Sequence, residues 1–140
     1  MALSNERDTP EAGTIIQGYP VLAGAKIFKG SLVVLDGGYA CPGKAATAVK
    51  CVGRAEETVD NAGLGNGGKV VLVKRGCFRF ANSAAADAIA QADVGNTCYV
   101  VDDQTVAKTD GHAGETPASR SAAGVIEAVD AAGVWVSVGL

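Results

Sequence analysis

The sequence predicts an all-β fold: a small β-barrel or β-sandwich with an extended N-terminal arm and at most one short helix. Three observations point there. Apolar residues fall into short runs rich in valine and isoleucine, the β-branched residues that suit a pleated surface. Glycine-containing turn signals separate these runs at intervals of about 8 to 12 residues, the rhythm of a sandwich or barrel. Only one stretch has the composition of a helix.

Residues 1–18 (MALSNERDTPEAGTIIQG) mix charges of both signs with one proline and two glycines and show little amphipathic periodicity. They read as an extended arm or, equally on composition, as a frayed terminus, and residues 19–140 as a single β-rich domain. From Tyr19 onward the strand candidates are 19–22, 26–28, 31–35, 47–52, 69–74, 77–80, 97–101, 104–107, 124–129 and 134–138. Gly30, Gly37, Gly38 and the Pro42-Gly43 pair supply early turns. The helical candidate runs from Asn82 to Ala92, with Asn82 or Ser83 placed to cap it and Gly95 to end it. Its one large apolar side chain is Ile89, too little for a core helix, so the stretch is expected to be a short surface helix or an alanine-rich loop. The loop TDGHAGETP, residues 109–117, is expected to be mobile.

A chain of 140 residues suits one domain with a genuine core. Its 48% hydrophobic and 19% charged residues argue against disorder over most of the length. A formal net charge of -3 gives a field that repels phosphate backbones, so no nucleic-acid partner is expected. With three Phe, three Tyr and one Trp, the core must be built from small side chains and closely approaching backbones. No apolar run approaches the roughly 18 residues of a membrane helix and the N-terminus carries no apolar signal segment, so no membrane is expected and synthesis in a cytoplasm-like compartment is. Cys41, Cys51, Cys77 and Cys98 are ten, twenty-six and twenty-one positions apart, unlike zinc or redox C-x-x-C pairs, and are expected to be free thiols, mostly buried.

Several motifs resemble sites without meeting their requirements. Residues 63–69 (GLGNGGK) fit both G-x-x-x-x-G-K and G-x-G-x-x-G, but a phosphate loop needs a following helix and a hydroxyl after the lysine. Here Val70 stands in the hydroxyl position and a strand-like run follows, so a glycine-rich turn is expected. His112 is the single histidine and sits among Gly, Ala and Thr, without a recognisable nucleophile or metal partner. Asp102, Asp103, Asp110 and Glu115 lack EF-hand spacing and read as a solvated acidic rim. In Lys74-Arg75-Gly-Cys-Phe-Arg79-Phe80, basic and aromatic residues interleave as in single-strand binders. Strand alternation nonetheless places Phe78 and Phe80 on one face and Cys77 and Arg79 on the other, an ordinary in-and-out pattern. No catalytic, cofactor-binding or metal-binding residue is assigned, and no enzymatic activity is expected.

The order of segments is informative in its own right. The arm is followed by YPVLAGAKIFKGSLVVLDGGYACPG, VGRAEETVDNAG, a glycine-rich turn with KVVLVKRGCFRF, DVGNTCYVVDDQTV and AAGVIEAVDAAGVWVSVGL. Over nearly the whole chain this succession resembles the capsid cement, or head decoration, proteins of tailed bacteriophages. The resemblance implies a β-rich domain on the outer surface of the virion head, made in the host bacterial cytoplasm, that stabilises the shell against internal DNA pressure. The implied partners are the major capsid protein and the protein itself, as a homotrimer or a dimer. It also implies that residues 2 to about 18 order on the capsid or on an adjacent decoration subunit, with Leu3, Ile15, Ile16 and Tyr19 as apolar anchors, since an extended segment can add as a strand to a sheet edge. Relatives sometimes carry a recombinase label, which makes a nucleotide- or DNA-binding recombination protein the main alternative. Another virion part, in the tail or at head completion, is the third.

Overall fold

The computed structural model describes residues 2, 4–9, 13 and 15–139. The chain is nearly all β, as its alternation predicts, and the described residues form twelve strands: β1 (Ile16–Pro20), β2 (Lys26–Ile27), β3 (Leu32–Asp36), β4 (Tyr39–Pro42), β5 (Lys50–Ala55), β6 (Val59–Asp60), β7 (Val70–Lys74), β8 (Gly76–Asn82), β9 (Thr97–Val100), β10 (Thr105–Ala107), β11 (Ala122–Asp130) and β12 (Gly133–Val138). The first strand begins at Ile16, inside the stretch assigned to the arm. Strand β4 has no counterpart among the sequence candidates, because its Pro42 and the glycines that flank it read as turn signals. Gly37 and Gly38, at φ 60° and 90°, form the two-residue turn that joins β3 to β4, with Asp36 paired to Tyr39. Positive φ at both central positions gives the turn whose twist matches that of the strands it joins.

Five strands in the order β1-β7-β5-β3-β4 make an antiparallel sheet. A bridge from Val21, just beyond β1, to Ala40 in β4 curls its two edges toward each other. The strands β10-β8-β12-β11-β9 close into a barrel, in which β10–β8 is the parallel pairing. Strands β2 and β6 form a small separate ladder.

Two hydrophobic cores result, and β3 is the wall between them. Leu32, Val33 and Val34 are all fully buried. Val33 joins Val21, Ile27, Ala40, Val71 and Val73 in the first core, whereas Leu32 and Val34 join Phe80, Cys98, Ile126, Val134 and Val136 in the second. A strand buried on both faces reads as a continuous apolar run, which is why LVVL shows no alternation. Glycine permits close strand approach at Gly53, where φ is 151° and an added Cβ would collide with the Lys74 carbonyl oxygen across the β5–β7 pairing.

The alanine-rich stretch is a loop with two short 3-10 turns, Ala85–Asp87 and Gln91–Asp93, rather than a helix. Ile89 lies between the turns and is buried at 3% exposure in the second core. The Asp93 carboxylate ties the second turn by accepting from Ala90 N at 2.8 Å. The 109–117 loop carries more internal structure than its composition suggests. Thr109 Oγ1 donates to Asp87 Oδ1, Arg120 donates to Thr109 O at 2.9 Å and to Asp87 Oδ2 at 3.3 Å, and Ala113 pairs with Thr116. The hydroxyl of Thr109 and then the guanidinium of Arg120 hold the Asp87 carboxyl below the usual carboxylate range.

Candidate interaction surface

Residues paired across a β ladder share a face. In the β1–β7 pair, Ile16 stands opposite Lys74, Gly18 opposite Leu72 and Pro20 opposite Val70. The alternate residues Val71 and Val73 point into the first core, so this outer row faces solvent. Val70 is 55% exposed, Leu72 45% and Ile16 51%, with Ile15 exposed beside them. Gly18 leaves room for its neighbours: a Cβ there would lie 3.1 Å from Val70 Cγ1 and 3.8 Å from Leu72 Cδ2. The result is an apolar strip on the outer face of the β1–β7 ladder. Burying one such side chain completely is worth roughly 1.5–3 kcal/mol, so contiguous exposed residues of this kind mark a binding surface.

Beyond Lys74 the surface becomes basic and aromatic. Arg54 of β5 is directly opposite Lys74, and its guanidinium lies over the Phe78 ring at 4.2 Å from the centroid. Arg54 also pairs with Glu56 at 2.8 Å. On the barrel, Arg79 of β8 is opposite Trp135 of β12 and sits over its indole at 5.8 Å. The indole Nε1–H donates to Asp130 Oδ2 at 3.0 Å. That hydrogen bond, followed by those from the Ala132 and Gly133 amides and by the charge of Arg79, holds the Asp130 carboxyl below its ordinary value. Between the sheet and the barrel lies an open groove of about 430 Å³, lined by Gly30, Arg54, Lys74, Cys77, Phe78, Arg79, Phe80 and Trp135. Its lining has three cations and no carboxylate, in a chain whose net charge is -3.

The four anchors expected from the sequence are placed differently from one another. Leu3 lies outside the described residues. Ile15 and Ile16 are exposed at the apolar strip, and Ile15 O accepts from Arg75 N at 2.8 Å. Tyr19 turns inward, packing on the first core with its hydroxyl 3.5 Å from Arg75. Val70 and Leu72 were not singled out, because within the continuous run VVLV no local signal tells the outward residues from the inward ones. Arg54 and Trp135 were missed because they come together only where β5 and β12 meet the same groove. The in-and-out reading of β8 holds: Phe80 is buried and Phe78 half-buried, whereas Cys77 and Arg79 are exposed.

The other motifs are accounted for locally. The 63–69 loop is followed by β7, a strand, and it wraps the fully buried Asn61. Asn61 Nδ2 donates to Leu22 O at 2.9 Å and Gly65 O at 3.1 Å, and a Cβ on Gly68 would meet Asn61 Oδ1 at 2.8 Å. His112 is exposed, and its amide donates to Asp110 Oδ1. Among the described residues no group of three or more His, Cys, Asp or Glu side chains is arranged to hold a metal ion, and no helix is long and apolar enough to cross a membrane. All four cysteines are free: Cys41 and Cys98 are buried, Cys51 half-buried and Cys77 exposed.

No protein-family model, no curated protein and no solved structure matches this chain.

Proposed function

We propose that this chain is a capsid decoration protein of a tailed bacteriophage, which binds the outer face of the head and stabilises the shell through contacts with the major capsid protein and with its own copies. The carrying observation is the apolar strip of Ile16, Val70 and Leu72 on the outer face of β1–β7. A rigid sheet presents it, and its backbone is fixed by ladder hydrogen bonds, so a partner that covers it orders little chain on this side. The order of sequence segments that resembles cement proteins supplies the partner's identity. Trimers or dimers at symmetry positions of the shell suit such a surface, because many modest contacts add through avidity.

The test is the copy number in purified particles, measured by quantitative mass spectrometry against the major capsid protein. Hundreds of copies in near-integer ratio to the capsid lattice support the reading. Absence from particles overturns it and turns attention to the recombination-protein alternative, for which the assay is ATP or DNA retention dependent on Lys69. A few copies per particle point instead to a tail or head-completion part.

A further inference from the structure

The groove between sheet and barrel has a chemistry that the apolar strip does not share. Arg54, Lys74 and Arg79 line it together with the rings of Phe78 and Trp135. Among the described residues neither Lys74 nor Arg79 is in an ion pair, whereas Arg54 has Glu56. The carboxylates at its margins are Glu56 and Asp130, the latter held by the Trp135 indole. Glu56 is paired with Arg54 and Asp130 lies within the field of Arg79, so with a net charge of -3 the surroundings disfavour a long phosphate backbone and leave Lys74 and Arg79 to a short acidic segment.

The chain carries such a peptide. Residues 1–15 hold Glu6, Asp8 and Glu11 against the single basic side chain Arg7. Ser4 through Thr9 are all exposed, and Thr9 N donates locally to Arg7 O at 3.0 Å. Drawn out as a strand, the segment would project Glu6 and Asp8 on the same side roughly 6.7 Å apart, with Arg7 turned away. The arm joins the sheet at Ile16, opposite Lys74 on the β1 side of β7, whereas Arg54 and the groove lie on its β5 side. To reach Arg54 the chain's own arm would have to cross the outer face of β7, a constraint that the arm of a second copy does not have.

We infer that the acidic N-terminal arm of a second copy of this chain lies in the groove between Arg54, Lys74 and Arg79, with Glu6 and Asp8 facing these cations. The inference deepens the decoration-protein reading by naming how copies contact one another, and rests on it only for the biological setting.

Trp135 is the chain's one tryptophan and reports directly on the groove. The full-length Glu6→Lys/Asp8→Lys variant, whose own arm is charge-mismatched, is titrated with a synthetic peptide of residues 1–15 while Trp135 emission is followed. A saturable change is expected, at least tenfold weaker for a peptide carrying the same two reversals and weakened by added salt as screening requires. Lys74→Glu/Arg79→Glu in the protein should invert the preference between the two peptides. In sedimentation, the wild type should associate with rising concentration and the Glu6→Lys/Asp8→Lys variant should associate at least tenfold less tightly. Equal binding of both peptides, or no change in emission, overturns the inference. So does a single-stranded oligonucleotide that shifts Trp135 where the peptide does not, or a wild type that stays monomeric with its arm docked in its own groove. No capsid enters these measurements, so their failure leaves the particle copy number to judge the decoration role separately.

Discussion

The carboxamide of Asn82 clasps the main chain of Ile89 from both sides: Nδ2 donates to Ile89 O at 2.8 Å, and Ile89 N donates to Asn82 Oδ1 at 2.9 Å. One side chain thus supplies the two hydrogen bonds that a neighbouring strand would give, and presses the isoleucine into the second core. Asn82→Ala leaves the amide and carbonyl of a buried residue without partners, a loss of about 1–3 kcal/mol. Urea unfolding should show it. Asn82→Asp, which keeps the acceptor and loses the donor, should fall between. A change below about 0.5 kcal/mol for Asn82→Ala would show that water replaces the clasp at no cost.

Gly53 is a second point where one atom decides the packing. Its φ of 151° is strained for any residue with a side chain, and an added Cβ meets the Lys74 carbonyl and lies 2.8 Å from Val73 Cγ1. Gly53→Ala should destabilise by about 2–4 kcal/mol through backbone strain and overpacking. Gly65→Ala, with nothing within 4 Å, should stay within about 0.5 kcal/mol of wild type. Equal stability of the two variants by thermal or urea unfolding would contradict this account of the β5–β7 seam.

The thiols give a pH signature. Burial pushes Cys51 up to about 12 and Cys98 to about 11, from an ordinary value of 9.0. Well below pH 9, near pH 7, these thiols are protonated in both states and contribute no pH dependence. Above it the unfolded thiols ionise while the folded ones remain neutral, so the unfolded state binds fewer protons and stability falls with rising pH up to about 11–12. The slope should be roughly 1 kcal/mol per pH unit for each thiol. Cys51→Ala/Cys98→Ala should flatten stability between pH 9 and 10.5 relative to wild type, and an unchanged slope would remove the thiols as its cause.

A thiol reagent at pH 8 reads the same burial kinetically. Cys77, exposed on β8, should react at once, half-buried Cys51 more slowly, and Cys41 and Cys98 only on unfolding. Rapid reaction of Cys41 or Cys98 would mean that the second core opens in the native protein.

Leu72→Asp places a charge at the centre of the apolar strip without touching either core, since Leu72 is 45% exposed. Circular dichroism and the urea midpoint should change little, and retention on purified heads should drop at least tenfold. Retention equal to wild type would move the capsid contact elsewhere on the surface.

Chain texture alone determined the fold class. Short β-branched runs punctuated by glycine cannot form an amphipathic helix, and they specify strands whatever their neighbours. The same alternation placed Phe80 inside and Arg79 outside, and the missing hydroxyl at Val70 together with the strand-like run after it marked the 63–69 loop as a turn. Only the tertiary structure decided which alternate residues of VVLV face solvent, that LVVL serves two cores at once, and that Ile89 is buried despite an alanine-rich setting. It alone brought Arg54, Lys74, Arg79 and Trp135, far apart in sequence, to one groove. The physical reason is that side-chain alternation is local, with a period of two residues, whereas burial depends on which surface a second sheet happens to cover.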